Sequence, residues 1–315
     1  MSSLYLNGQG FLNVRNKYLL PLVGSSVTRE KACFWTVTEL IERCAKKIVR
    51  DSDSTKITFL KEDFYRMLIA EVSLFQIKRM RQHECIVALK KSANWKFVTL
   101  YYDLFFSSFI LLLFLHRGFV FIDENNARRI EDLLNQSSTD DIFRFPKGNY
   151  FFWADTQEND DDDLVVVSFA PRKDNTHEAL WKTLPDIVKK EIYEFADTDE
   201  KAIYGTLNEY VKTYGATFPS QTRNFYNYSP LSAENDINNQ IMFVIDQDRD
   251  LIKDALRFQI KKNDGWPEKA QAAQYYREII SLLTDYLYKE YISRGNEKNE
   301  FYQLLSSKKK NLNQN

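Results

Sequence analysis

From Phe97 to Leu115 the chain holds a single charged side chain, Asp103, in 19 residues. A helix that is apolar on every side has no face to offer water, so it must sit at the centre of a bundle or in a membrane. Asp103 falls within the run, Ser107 and Ser108 interrupt it and no second comparable run exists, which together favour burial among other helices. The preceding sequence supplies a neighbour. From Leu60 to Lys90, Phe64, Met67, Leu68, Val72, Phe75 and Met80 recur at helical spacing, and Ser92-Ala93-Asn94 offers a turn and cap before Trp95. The two segments predict a long helical hairpin.

Helical spacing also marks residues 27 to 50, through Phe34, Val37, Leu40, Ile41, Cys44 and Ile48. Gly118 is the expected stop of the apolar helix, Phe119 to Ile122 reads as strand-like, and Asp123 is placed to cap a helix over 124–136. Between Asn149 and Ala170 the pattern turns to β. Tyr150-Phe151-Phe152-Trp153 and Leu164-Val165-Val166-Val167, joined by the acidic run 158–163, predict a hairpin with a solvated loop. Helical spacing resumes over 177–196, 198–213, 234–262 and 267–293, with a loop around Phe218-Pro219-Ser220. The expected fold is mainly α, a helical bundle with a β-hairpin insertion around residues 149–170. In chain order this gives an N-terminal helical part (1–136), a β-rich acidic insertion (137–176) and a C-terminal helical part (177–315), all in one compact domain.

The 315 residues are 44% hydrophobic with a net charge of −1, which excludes disordered and low-complexity classes. Three scattered cysteines exclude a disulfide framework, and the first 24 residues lack a secretory pattern, so a reducing, cytoplasmic setting is expected, with no membrane role. Charge is uneven: +8 over residues 1–117, −11 over 118–200 and +2 over 201–315. Lys78, Arg79 and Arg81 form the densest basic stretch, either a phosphate-contacting face or a solvated one paired with the acidic middle. Isolated glycines exclude a phosphate-cradling loop and a dinucleotide fingerprint. With three histidines no helix carries a paired metal site, and Asp246, Asp248 and Asp250 fail as a calcium loop because Leu251 and Arg257 occupy its required glycine and glutamate positions. His83 and Cys85, two apart, point to different helix faces. Neither a metal nor a cofactor is expected.

Two constellations remain. Arg172 and His177 lie five positions apart where the β segment hands over to a helix. In metal-independent RNA cleavage a histidine moves the proton of the 2′-hydroxyl or of the leaving oxygen while an arginine offsets phosphate charge. The alternative is that His177 only caps the following helix. The second constellation, Arg223-Asn224-Phe225-Tyr226-Asn227-Tyr228, joins arginine with amides and aromatic rings. Arg223, Asn224, Asn227 and Tyr228 suit phosphate and base contacts, or else knit a loop to the core.

The long helix, Ser92-Ala93-Asn94-Trp95-Lys96-Phe97-Val98-Thr99-Leu100-Tyr101-Tyr102 and the apolar helix after it resemble the helical pair that opens many HEPN-type proteins. Arg223-Asn224 to Asn227-Tyr228 is similar to the Arg-Asn start of that superfamily's arginine, four to six residues, histidine motif. Asn227 or Tyr228 stands where the histidine would be, and the Arg172 to His177 match lies at a strand-to-helix junction instead of on a helix. The resemblance implies a helical, commonly dimeric protein of prokaryotic defence or toxin-type systems, acting on RNA without metal or serving as a non-catalytic module. The expected catalytic pair is Arg172 and His177, and the expected partners are RNA and a protein subunit or second copy. The alternative is an inert assembly subunit docking through Trp153, Trp181, Trp266, Tyr275 and Tyr276.

Overall fold

The computed structural model describes residues 8–24, 36–50, 53–88, 93–136, 144–155, 163–239 and 265–294. Its helices in chain order are α1 (Gln9–Val14), α2 (Leu20–Gly24), α3 (Val37–Cys44), α4 (Lys61–Ala88), α5 (Ala93–Phe114) and α6 (Glu124–Gln136). They continue with α7 (Thr176–Val188), α8 (Thr198–Tyr214), α9 (Phe218–Tyr228), α10 (Pro230–Asn239) and α11 (Trp266–Arg294), and π turns occupy Arg15–Leu19 and Lys189–Tyr193. The strands are β1 (Lys47–Arg50), β2 (Thr55–Leu60), β3 (Arg117–Ile122), β4 (Gly148–Asp155) and β5 (Leu164–Arg172). The protein is mainly helical, and its chain divides into two compact units.

The helical unit comprises Met1–Lys17, Phe75–Leu111 and His177–Leu287. Helix α5 is long and apolar enough to cross a membrane, but 89% of its most apolar stretch is buried inside the protein. Its serines are satisfied locally: Ser107 Oγ donates to the Asp103 carbonyl at 2.8 Å and Ser108 Oγ to that of Leu104 at 2.9 Å. Each hydroxyl thereby finds a partner without leaving the apolar environment. Near the start of the described chain, the amides of Gly10 and Phe11 donate to the Glu200 carboxylate at 2.9 and 3.0 Å. These are first-turn donors of α1 with no partner inside their own helix. Glu200 also closes the capping box of α8 with Asp197. Residue 8 must be glycine for this approach, since a Cβ there would stand 2.0 Å from the Glu200 carboxyl carbon.

The second unit comprises Tyr18–Leu74, Leu112–Thr176 and Tyr288–Asn315. It holds a five-stranded antiparallel sheet in the order β1-β2-β5-β4-β3. Alternation sends Ile57, Phe59, Tyr150, Phe152, Val165, Val167 and Phe169 to the buried face. The predicted hairpin is therefore the centre of a larger sheet. The helix expected over 27–50 is corrected at its C-terminal end: among the described residues of this segment the helix is Val37–Cys44, started by the Thr36/Glu39 capping box, and Lys47–Arg50 forms an edge strand. Residues 27–35 lie outside the described residues. The helix stop expected at Gly118 falls earlier, at His116, whose φ of 55° turns the chain from α5 into β3. Gly118 serves inside β3 instead, where a Cβ would meet the Phe152 ring, its cross-strand partner, at 2.7 Å.

Several other expectations are now placed. Asp123 caps α6, accepting from the Asn126 amide at 2.8 Å. The loop expected at Phe218-Pro219-Ser220 is the first turn of α9, where a proline costs no helical hydrogen bond. Of the segment 234–262, the part to Asn239 is helical, and residues 240–264 lie outside the described residues, as do Asp246, Asp248, Asp250 and acidic residues 158–162.

Candidate functional site

Three helices of the helical unit converge on one tyrosine hydroxyl. Helix α5 presents Tyr101, Tyr102 and Phe105; the first turn of α7 presents His177, with Trp181 one turn on; α9 presents Arg223. Tyr101 is buried, and its hydroxyl accepts from Trp181 Nε1 at 3.2 Å and meets His177 Nδ1 at 2.7 Å. The imidazole lies flat on Phe105, with centroids 4.1 Å apart and planes 17° apart. The Arg223 guanidinium sits 5.0 Å from the centroid of Tyr101 and 5.8 Å from that of Tyr102. These are cation–π distances.

Burial pushes the Tyr101 hydroxyl up to about 12, the Trp181 hydrogen bond and the Arg223 charge opposing it, so the phenol keeps its proton at neutral pH. Burial, and then the Arg223 charge, lowers His177 below its ordinary 6.5, so its ring is neutral at pH 7. Two tautomers satisfy the contact with Tyr101. When Nδ1–H donates to the phenol oxygen, Nε2 carries a lone pair and can take a proton; when the phenol donates, Nε2 carries the hydrogen and can give one. Arg223 adds a fixed positive charge, and among the described residues nothing accepts a hydrogen bond from its Nε. A neutral imidazole beside a guanidinium suits proton transfer at a substrate whose charge is negative.

The structure thus joins one residue from each sequence constellation. The arginine that lies with His177 in the helical unit is Arg223, 46 positions away, whereas Arg172 ends β5 in the sheet unit, across from Asn149. On α9, Asn227 follows Arg223 by one turn and is half-buried, Asn224 is exposed and Tyr228 is 79% exposed. Phe225 and Tyr226 anchor that helix, Phe225 stacking on Trp266 at 4.3 Å and Tyr226 donating to Asp236 at 3.1 Å.

The basic stretch on α4 divides. Arg81 is exposed and Lys78 is half-buried over the Phe75 ring at 4.8 Å. The phosphate role expected of Arg79 is corrected, because Arg79 is 3% exposed and its guanidinium pairs with Asp103 at 3.2 Å and Asp285 at 2.5 Å. Of the five rings expected on a docking surface, Trp181, Tyr275 and Tyr276 are core residues, while Trp153 and Trp266 are half-buried.

Sequence reasoning missed the cluster around Asp103. This carboxylate is fully buried, yet it meets Arg79, Arg277 Nε at 2.5 Å and His83 Nε2 at 2.7 Å, and Arg277 also pairs with Glu278. Burial alone would raise its pKa; Arg277, His83 and Arg79 outweigh burial and hold the carboxyl well below the usual carboxylate range. The available signal was the lone aspartate in an apolar helix, which demands buried cations. Among the described residues no group of three or more histidine, cysteine, aspartate or glutamate side chains is arranged to hold a metal ion. No protein-family model, curated protein or solved structure matches this chain.

Proposed function

We propose that the helical unit is a HEPN-like module that binds RNA and cleaves it without a metal, as a component of a prokaryotic defence or toxin-type system. The observation that carries this reading is the contact of His177 with Tyr101 beneath the Arg223 guanidinium. In the proposed reaction His177 Nε2 takes the proton of a 2′-hydroxyl and the 2′-oxygen attacks the adjacent phosphorus. The 5′-oxygen leaves and takes a proton from solvent, giving a 2′,3′-cyclic phosphate and a 5′-hydroxyl end. Arg223 stabilises the charge gathering on the phosphoryl oxygens. Tyr101 and Trp181 are positioning residues that fix the imidazole, while Asn227 and Tyr228 extend the contact surface along α9. Here Arg223 takes the part expected of Arg172.

The test is incubation of purified protein with total RNA and tRNA in EDTA, comparing wild type with His177→Ala and Arg223→Ala, each fold checked by circular dichroism. The expected result is fragments with cyclic phosphate ends from wild type, and a loss of about 100-fold or more in a folded His177→Ala variant. Cleavage unchanged by His177→Ala would overturn the catalytic assignment. Failure of wild type to bind or cleave RNA would shift the reading to an inert assembly subunit.

A further inference from the structure

One face of the sheet covers the core, and the opposite face has an unusual composition. Strand register places its residues in rows: Val49, Lys56, Ser168, Trp153 and Arg117 across one, Ala170, Phe151 and Phe119 across the next, then Arg172, Asn149 and Phe121. A sheet face turned from the core ordinarily carries polar side chains. This one gathers four aromatic rings on the adjacent strands β3 and β4. Phe121 is 61% exposed, and Phe119, Phe151 and Trp153 are half-buried. Phe119 lies 5.0 Å from Phe151, and Phe151 stacks near Trp153 at 5.7 Å with planes 25° apart. Beside them on β5 stand two small residues, Ser168 next to Trp153 and Ala170 next to Phe151.

The charge of this face runs against that of its surroundings. Residues 118–200 carry a net −11. By register, however, Lys47, Lys56, Arg117 and Arg172 share the face with one acidic position, Asp155 at the end of β4. Rings interleaved with basic residues suit a ligand that is both polyanionic and aromatic. A protein partner fits less well, because lysine is depleted at interface cores.

We propose that this sheet face binds single-stranded nucleic acid, stacking bases on Trp153, Phe151 and Phe119 while Arg117, Lys56 and Arg172 meet backbone phosphates. The inference does not rest on the His177 reading, since every residue in it belongs to the sheet unit. It gives Arg172 a role that the His177 cluster does not.

Fluorescence anisotropy with labelled 12-mers of oligo-U and oligo-dT, and with a duplex of equal length, tests it on the full chain. The result expected is micromolar or tighter binding of a single strand, with the ribose and deoxyribose arms ranking the two sugars, and weaker binding of the duplex. Phe151→Ala weakens single-strand binding about tenfold, the loss of one base stack. Lys56→Gln, which leaves the rings in place should Phe151→Ala fail to fold, reduces the slope of log affinity against log salt by about 0.7. Oligo-dT, which offers no 2′-hydroxyl to the proposed cleavage site, shows the same two losses as oligo-U, separating this face from that site. No binding by wild type at 50 mM salt, duplex binding as tight as single-strand binding, or indifference to both sheet substitutions overturns the proposal. So does self-association, measured by sedimentation, that Phe151→Ala and Lys56→Gln dissolve while oligonucleotide binding is absent.

Discussion

Two polar clusters lie in the helical unit, and they follow opposite rules. Around Asp103 every charge has an answering charge: one buried carboxylate faces two arginines and a histidine, and Arg79 reaches a second carboxylate at Asp285. Around His177 the contacts run among Tyr101, Trp181, Phe105 and Arg223, none of them a carboxylate, and the guanidinium lies over aromatic rings. An ion-pair network built around the buried Asp103 lets a charged residue live inside an apolar helix. A guanidinium held against rings keeps its charge available to an anion, and the neutral imidazole beside it keeps a site for a proton. Density of charge is thus a poor guide to function here. The richer cluster is satisfied within itself, and the sparser one is where the chemistry is proposed.

Removing Asp103 should give the largest effect. Asp103→Ala takes from the buried Arg79 and the partly buried Arg277 their shared anion, and a loss of ~3 to 5 kcal/mol is expected in urea unfolding at pH 7. An unchanged unfolding midpoint would remove the distinction between the two clusters. Acid should expose the same dependence. Because the folded-state pKa of Asp103 is depressed, its contribution is present above the ordinary value of 3.8 and lost as pH falls beneath it. Stability curves measured down to pH 2 should fall more steeply for wild type than for Asp103→Asn.

Tyr101→Phe should cost less, about 1 to 3 kcal/mol, by stranding the Trp181 donor and one nitrogen of His177. It should also reduce any EDTA-resistant cleavage, which a purely structural tyrosine would not affect. The smallest effect is the pH dependence set by His177. Its lowered pKa means that the unfolded chain binds the proton more readily, so this contribution is present above pH 6.5 and declines as pH falls below it. Replacing His177 with Gln should flatten the stability profile between pH 7 and 5, measured by thermal unfolding. A profile identical to wild type would show that burial does not disfavour the charged ring.

The long elements were legible because their signals are local and repeated. The pattern from Leu60 to Lys90 became α4, the apolar run became α5, and the Asp123 cap opened α6 where the sequence placed it. Strands β1 and β2 were missed for the same reason in reverse. Thr55-Lys56-Ile57-Thr58-Phe59-Leu60 alternates cleanly, but six residues at the edge of a strong helical pattern read as its beginning. The site itself was half legible. His177 and Arg223 stood out as residue types, but their partnership depends on α7 and α9 both meeting Tyr101, and no spacing rule spans that distance. Arg79 showed the converse failure, since a basic helix stretch reads as solvent-facing until Asp103 and Asp285 are seen beside it.

The Glu200 carboxylate has a consequence in time as well as in space. Its hydrogen bond to the Gly10 amide links positions 190 residues apart. During synthesis at about 5 to 20 residues per second, α1 therefore waits on the order of 10 to 40 seconds before its anchor exists. For that interval Phe11 and Val14, both buried in the finished protein, have no Glu200 to hold them in place. Helix α1 is thus made well before α8 but held in place only after it, and that order is set by a single acidic side chain near the start of α8.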